Sequence, residues 1–363
     1  MSSEIHKSKS HSDFAFNREM LTLARESRGL TQSRLAKLLN TTQGRISKIE
    51  NGMLLPQDKL VSRLSKMLDY PESFFYQHGP VFGLPISFYR RRKTLPKKVL
   101  DRVTAEMNIR RTHIEHMLRS AEIQLDRNIP FLDIDEYEGD TEEIARVVRI
   151  GWKLPSGPIK NLVEAIENAG GIIIPCDFES DRIDAVSQRL TGLPPMIFVN
   201  TSTPTDRIRF SVAHELGHLV MHEYPTPNME DEANRFAAEF LMPQRDINSY
   251  FKTKLSLRHF AALKPVWRVS MAALLKRAKD LGRISEKSYS YFWLQMGKSG
   301  WRRREPPELD LEPERPTLLN ELIKYHTDQL EYNVDELAIA VNEYPHNFQK
   351  KYFSREPHLR LVK

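Results

Sequence analysis

The sequence predicts a mainly α chain with a small β-sheet, an α+β fold in which an all-α N-terminal part precedes a mixed one. Three observations predict it. Residues 14–70 are dense in helical periodicity broken only by short turns. The runs GGIIIPCDF and PPMIFVN, at 170–178 and 194–200, are short, apolar and bounded by Gly and Pro, which is the pattern of strands. From residue 206 onward the apolar spacing returns to that of amphipathic helices.

Composition sets the limits. A chain of 363 residues suggests two or three domains. Apolar residues at 40% and charged residues at 28% suit a globular protein with a substantial core. Cys176 is the single cysteine, which excludes an internal disulfide and a multi-cysteine metal site, and suits a reducing compartment. The N-terminal MSSEIHKSKSHSDF lacks the apolar core of a signal peptide, and no apolar run approaches the ~18 residues of a spanning helix. A cytoplasmic location without membrane contact is therefore expected. A net charge of +6 permits nucleic-acid binding without requiring it.

The expected organisation runs as follows: a disordered N-terminus at 1–13, a helical domain at 14–77, a linker and basic helix at 78–140, a mixed domain at 141–255, a helical subdomain at 256–300, and a Pro- and charge-rich linker with C-terminal helices at 301–363. Helices are expected at 17–28, 57–68, 97–127, 141–153, 158–169, 206–222 and 229–241, with further pairs within 256–282 and 317–343. Strands are expected in GGIIIPCDF, at 185–190 and at Met196–Asn200. Residues 90–119 hold ten Lys/Arg against three Asp/Glu, and 122–143 reverse the balance. Either these are solvated helix faces, or a basic arm contacts phosphate and an acidic connector follows.

The segment LTQSRLAKLLNTTQGRISKIENG at 30–52 places Leu35, Leu38, Leu39, Ile46 and Ile49 on one core if two short helices meet at a tight turn. Thr31 is a candidate N-cap, and Thr41 or Thr42 caps the next helix. This stretch resembles the Cro/C1-type (XRE) helix-turn-helix family over about residues 17–70. The resemblance implies that Thr42–Glu50 enters the major groove of a double-stranded DNA operator. Thr42, Gln43, Gly44, Arg45, Ser47 and Lys48 would then form the DNA-facing surface, and Gln32 would contact the backbone. Gln and Arg suit bidentate contacts to adenine and guanine. Gly44 stands where relatives carry a polar side chain. Glu50 and Asn51 are expected to brace the domain. A homodimer on paired half-sites is expected, because one such domain reads few base pairs. A helical bundle used only for protein contacts is the alternative.

In RIRFSVAHELGHLVMHE, at 207–223, His214 and His218 stand at i and i+4 on one helix face, with Glu215 beside them. HExxH is the spacing used for zinc, with the Glu as general base. A third protein ligand is needed, and MEDEANRFAAEFLMP at 229–243 offers Glu230, Glu232 and Glu239. His222, eight residues after His214, points about 80° away at ~100° per residue, which suits a structural or substrate-facing role rather than a ligand.

HELGH followed by ExEANRFAAEFLMP resembles the ImmA/IrrE (peptidase M78) family over roughly residues 150–250. The resemblance implies a zincin-like α+β metallopeptidase domain, with Glu230 as third ligand and Asn234 orienting a ligand. Glu232 is the alternative ligand, and Glu239 is expected to be an ordinary exposed residue. Zn2+ is the expected metal, with Mn2+ as the alternative set by availability. Water activation with Glu215 as base would then cleave a peptide bond, and Met196–Asn200 is a candidate edge strand for an extended substrate. Family resemblance implies cleavage of a repressor; an antitoxin, or this chain itself through its 71–98 linker, are further candidate substrates. The competing reading is a DNA-binding repressor or antitoxin whose peptidase-like domain senses a ligand or binds a partner without catalysis. SLRHFAALKPVWRVSMAALLKRAKDLGRIS, at 256–285, completes the peptidase fold or forms a second DNA-binding unit.

Overall fold

The computed structural model describes residues 15–83, 95–123, 129–302 and 304–353. The expected disordered N-terminus at 1–13, and the first part of the basic stretch at 90–119, lie outside these residues. The helices are α1 (Arg18–Ser27), α2 (Gln32–Leu38), α3 (Gln43–Glu50), α4 (Asp58–Leu68), α5 (Lys97–Ser120), α6 (Thr141–Gly151), α7 (Leu162–Asn168) and α8 (Thr205–Met221). They continue with α9 (Met229–Leu241), α10 (Gln244–Ile247), α11 (Leu257–Trp267), α12 (Met271–Asp280), α13 (Glu286–Lys298), α14 (Leu318–Asp328), α15 (Val334–Ala340) and α16 (Pro345–Tyr352). Three strands, β1 (Ile172–Cys176), β2 (Ala185–Gln188) and β3 (Met196–Asn200), form one sheet. No helix among the described residues is long and apolar enough to cross a membrane.

The chain divides into two compact units. The first joins the described residues up to 83, 95–123 and 322–353. Its core gathers Leu21, Leu35, Ile46, Ile49, Leu64, Phe74 and Phe75 with Ala105 and Ile109 of α5. Two expectations change here. The 71–77 part of the expected 71–98 linker belongs to the helical domain, because Phe74 and Phe75 are buried in that core. Nor is α5 a solvated basic helix: Arg110, Arg111 and His113 are buried. Arg110 pairs with Glu106 at 2.6 Å and Arg111 with Glu115 at 3.0 Å. These guanidiniums are occupied inside the fold, so they do not form a phosphate-contacting arm. The C-terminal helices pack in the same unit. The Tyr344 hydroxyl meets Ser65 Oγ at 3.1 Å, and Asn347 donates to the Asp69 carbonyl at 3.0 Å.

The second unit lies within 124–321 and holds the sheet in the order β1-β3-β2. β1 runs parallel to β3, and β2 runs antiparallel to it. Met196–Asn200 is therefore the central strand, not an edge, and it is buried along its whole length. Parallel pairing with β1 places it inside the sheet, and β2 is an edge. The sheet residues Ile173 and Ile197 share one core with Val212 and Leu216 of α8, Phe236 and Phe240 of α9, and Phe260, Trp267 and Leu274 of α11 and α12. Lys264 of α11 is buried between Asp206 Oδ2 at 2.6 Å and Glu305 Oε2 at 2.7 Å, which ties the start of α8 to the helices after it. Residues 256–300 thus share the core of the mixed domain, and buried Lys264 and Arg277 are not available as a second DNA-reading surface.

Candidate metal centre and helix-turn-helix surface

Helix α8 is buried along its second half, because Val212, Leu216 and Leu219 face the core while His214 and His218 share one adjoining face. The close approach of α9 depends on Gly217. A Cβ there would lie 3.0 Å from the Phe236 ring and 3.3 Å from Ala233 Cα. A glycine inside a helical pattern is a sequence signal for such contact, and it marks the crossing that brings Glu230 over the two histidines.

His214 and His218 are 8% and 5% exposed. Their Nε2 atoms are 3.0 Å apart. Glu230 Oε2 lies 3.7 Å from His214 Nε2, and Glu230 Oε1 lies 3.5 Å from His218 Nε2. One ligand atom from each residue fits within a 4.8 Å span. Metal–ligand bonds of about 2.0–2.1 Å in a tetrahedron put donor atoms roughly 3.3 Å apart. The two nitrogens and the carboxylate thus fit one zinc-sized cation with three protein ligands.

Each histidine is held from its far nitrogen. Asn234 Oδ1 meets His214 Nδ1 at 3.0 Å. His218 Nδ1 meets His222 Nδ1 at 3.0 Å, and His222 Nε2 meets Glu232 Oε2 at 3.0 Å. Glu232 therefore joins His222 rather than the converging trio. Burial, reinforced by neighbouring His218, holds His222 below the usual histidine range against the pull of Glu232. Glu239 corrects the expectation of an exposed residue. It is 1% exposed, pairs with Arg277 and Arg146, and accepts from the Gln244 N–H. Its partner Arg277 lies 38 residues on, where local periodicity gives no hint of it.

Glu215 is 3% exposed and turned toward the sheet. Its Oε2 accepts from the Ser187 N–H at 2.9 Å and the Ser187 hydroxyl at 2.7 Å. Ser187 stands opposite Ile197 in the β2–β3 ladder. Its N–H, bound to Glu215, points off the sheet edge toward α8. Sequence reasoning missed Ser187, because nothing in a four-residue strand reveals which helix carboxylate lies across from it.

Asn234 also lines a cavity of about 820 Å³, with Asp184, Arg207, Ser211, Lys264 and Trp301 among its other walls. None of the three converging residues lines it. Asn234 thus stands between this space and His214.

In the first unit, Thr31 Oγ1 accepts from Arg34 N at 3.1 Å and Thr42 Oγ1 from Arg45 N at 3.3 Å, which caps α2 and α3. The cap of α3 is Thr42, not Thr41. Leu35, Leu39, Ile46 and Ile49 are buried between the helices, whereas Leu38 is left partly exposed. Thr42, Gln43, Gly44, Arg45 and Lys48 are exposed, and Ser47 is half-buried. Gln32 donates to Glu50 at 2.8 Å, and Gln43 donates to Gln32 at 2.8 Å. Arg25 holds the same Glu50 at 2.6 Å. A continuous polar chain therefore fixes the start of α3 to α1 and α2. Glu50 braces the domain, and Gln32 is engaged within it.

Residues 21–75 match the model of a helix-turn-helix family, and residues 167–279 match that of the IrrE N-terminal-like domain of the peptidase M78 family. No curated protein matches the chain.

Proposed function

We propose that this chain, in which a helix-turn-helix segment is joined to an IrrE N-terminal-like segment, is a DNA-binding transcriptional regulator with a zinc-dependent endopeptidase domain. Its substrate is a repressor- or antitoxin-type protein, with this chain itself among the candidates. The observation that carries the reading is the convergence of His214, His218 and Glu230 within 4.8 Å. Glu215, on the same helix, faces edge strand β2.

A zinc ion held by this trio supplies Lewis acidity toward water and a peptide carbonyl. The chain's own residues do the rest. Glu215 takes a proton from the attacking water and returns it to the leaving amine nitrogen. Ser187 fixes the Glu215 carboxylate, and Asn234 orients His214. Gln43, Arg45 and Lys48 read and hold the operator, as a homodimer in the cytoplasm. Manganese is the alternative metal where it is the more available ion.

A second reading rests on the cavity beside Asn234. About 820 Å³ falls within the range of small-molecule pockets, so a ligand there would reach the domain without any catalysis. Comparing host cells that express wild type or Glu215→Gln separates the two. Mass spectrometry of protein N-termini should show new termini only with Glu215 intact. Equal termini in both, with transcriptional control preserved, would favour the ligand-sensing reading.

A further inference from the structure

The two histidines of the trio are anchored differently. His214 is held by a neutral amide, Asn234, at 3.0 Å. His218 is held by a second imidazole, which is itself held by a carboxylate. His218 and His222 stand at i and i+4, the spacing that sets two side chains next to each other on a helix, and their ring centroids lie 5.0 Å apart. His222 is the residue at which α8 ends, with φ −119° and ψ 108°. Its own N–H still closes the helix on the His218 carbonyl at 3.0 Å. The His222 side chain is 2% exposed, so its polar atoms need protein partners.

Proton positions along this chain follow from valence. A cation on His218 Nε2 leaves the His218 proton on Nδ1. That N–H can only be received by a bare His222 Nδ1. The remaining His222 proton then lies on Nε2 and is donated to Glu232 Oε2. All three contacts are satisfied at once, in one direction, with both rings neutral. The opposite placement would set two N–H groups against each other 3.0 Å apart.

We propose that His222 and Glu232 are positioning residues: an anionic relay that fixes the tautomer and orientation of His218 and strengthens its Nε2 as a donor. This inference rests on the zinc reading above. It also assigns Glu232 a place outside the ligand set, where spacing alone left it as an alternative to Glu230. Partners of metal-bound histidines typically govern affinity by about 10–100-fold.

The test is made on the full chain. Zinc affinity is measured by chelator competition for wild type, His222→Phe, His222→Gln and Glu232→Gln. His222→Phe should weaken zinc binding by about 10–100-fold. His222→Gln can still accept from His218 and donate to Glu232, so it should recover much of that loss. Glu232→Gln should fall between His222→Phe and wild type. Independently of any variant's folding, long-range 15N–1H spectra of zinc-loaded wild type should show His222 protonated at Nε2 and bare at Nδ1. Wild-type affinity in His222→Phe, or a His222 protonated at Nδ1, would overturn the relay while leaving the zinc site standing. Failure of the wild type to bind zinc would overturn the metal reading and the relay with it.

Discussion

Both hydrogen bonds that Ser187 donates, from its N–H and its hydroxyl, end on the same oxygen, Oε2 of Glu215, at 2.9 and 2.7 Å. The edge of the sheet and the proposed base are thereby one structural element. A buried carboxylate needs such donors, because burial without them is costly. Hydrogen bonds to charged groups contribute about 1.5–3 kcal/mol each. Ser187→Ala should therefore lower unfolding free energy by roughly that amount while zinc stoichiometry stays unchanged. A double-mutant cycle with Glu215→Gln by urea denaturation should show strong non-additivity. Additive losses would mean that the pair does not act together.

Arg25 and Glu50 form a partly buried pair at 2.6 Å, and Glu50 also accepts from Gln32. Removing one partner strands the other charge, a loss of about 3–5 kcal/mol. Arg25→Ala should destabilise the first unit by that order, read as faster hydrogen exchange in α1 and α3. An unchanged exchange rate there would contradict the bracing role of Glu50.

Arg45 and Lys48 are exposed on α3 and should differ in what they contribute to DNA binding. Arg45→Ala is expected to cost about 1–3 kcal/mol on the specific operator and to relax sequence preference. Lys48→Ala should weaken binding evenly across sequences and reduce the salt slope by about one. Titration of operator and random duplex at several salt concentrations distinguishes the two.

His113 gives a pH dependence with a definite sign. Burial, then the charges of Lys351, Arg110 and His116, holds its pKa well below the usual histidine value, while its Nδ1 meets the Tyr352 hydroxyl at 3.0 Å. The folded state therefore binds fewer protons than the unfolded one below about pH 6.5. Stability of the first unit should fall as pH drops through 6.5, by at most about 1.4 kcal/mol per pH unit from this group. His116, lowered mainly by burial, adds in the same direction. Glu106 acts lower. Burial alone would raise it, but Arg110 and Lys351 bring it from 4.5 down to about 2, so its share is lost only between those values. Hydrogen exchange of α5 amides, referred to intrinsic rates at each pH, should show a shallower slope between pH 6.5 and 4.5 in His113→Gln.

The parts legible in the sequence are those governed by local rules. Thr31 and Thr42 cap their helices, His214 and His218 share a face, and Met229–Leu241 follows from its own apolar spacing. Strand order did not follow, because periodicity shows that a run is buried but not which neighbours pair with it. Met196–Asn200 reads equally well as edge or centre until the parallel partner Ile172–Cys176 is known. The charge run of α5 misled for a related reason: Arg110 donates to the carbonyl of Lys351, 241 residues away, and no window of sequence contains both. Gly217 is the exception, a signal present in HELGH whose meaning appears only once Phe236 is seen against it.

The metal centre is tested most directly by metal content in purified wild type, His214→Ala, Glu230→Ala and Glu215→Gln. Wild type and Glu215→Gln should each hold one equivalent of zinc, and His214→Ala and Glu230→Ala should lose it. No zinc in the wild type after reconstitution, or full zinc in Glu230→Ala, would contradict the zinc reading.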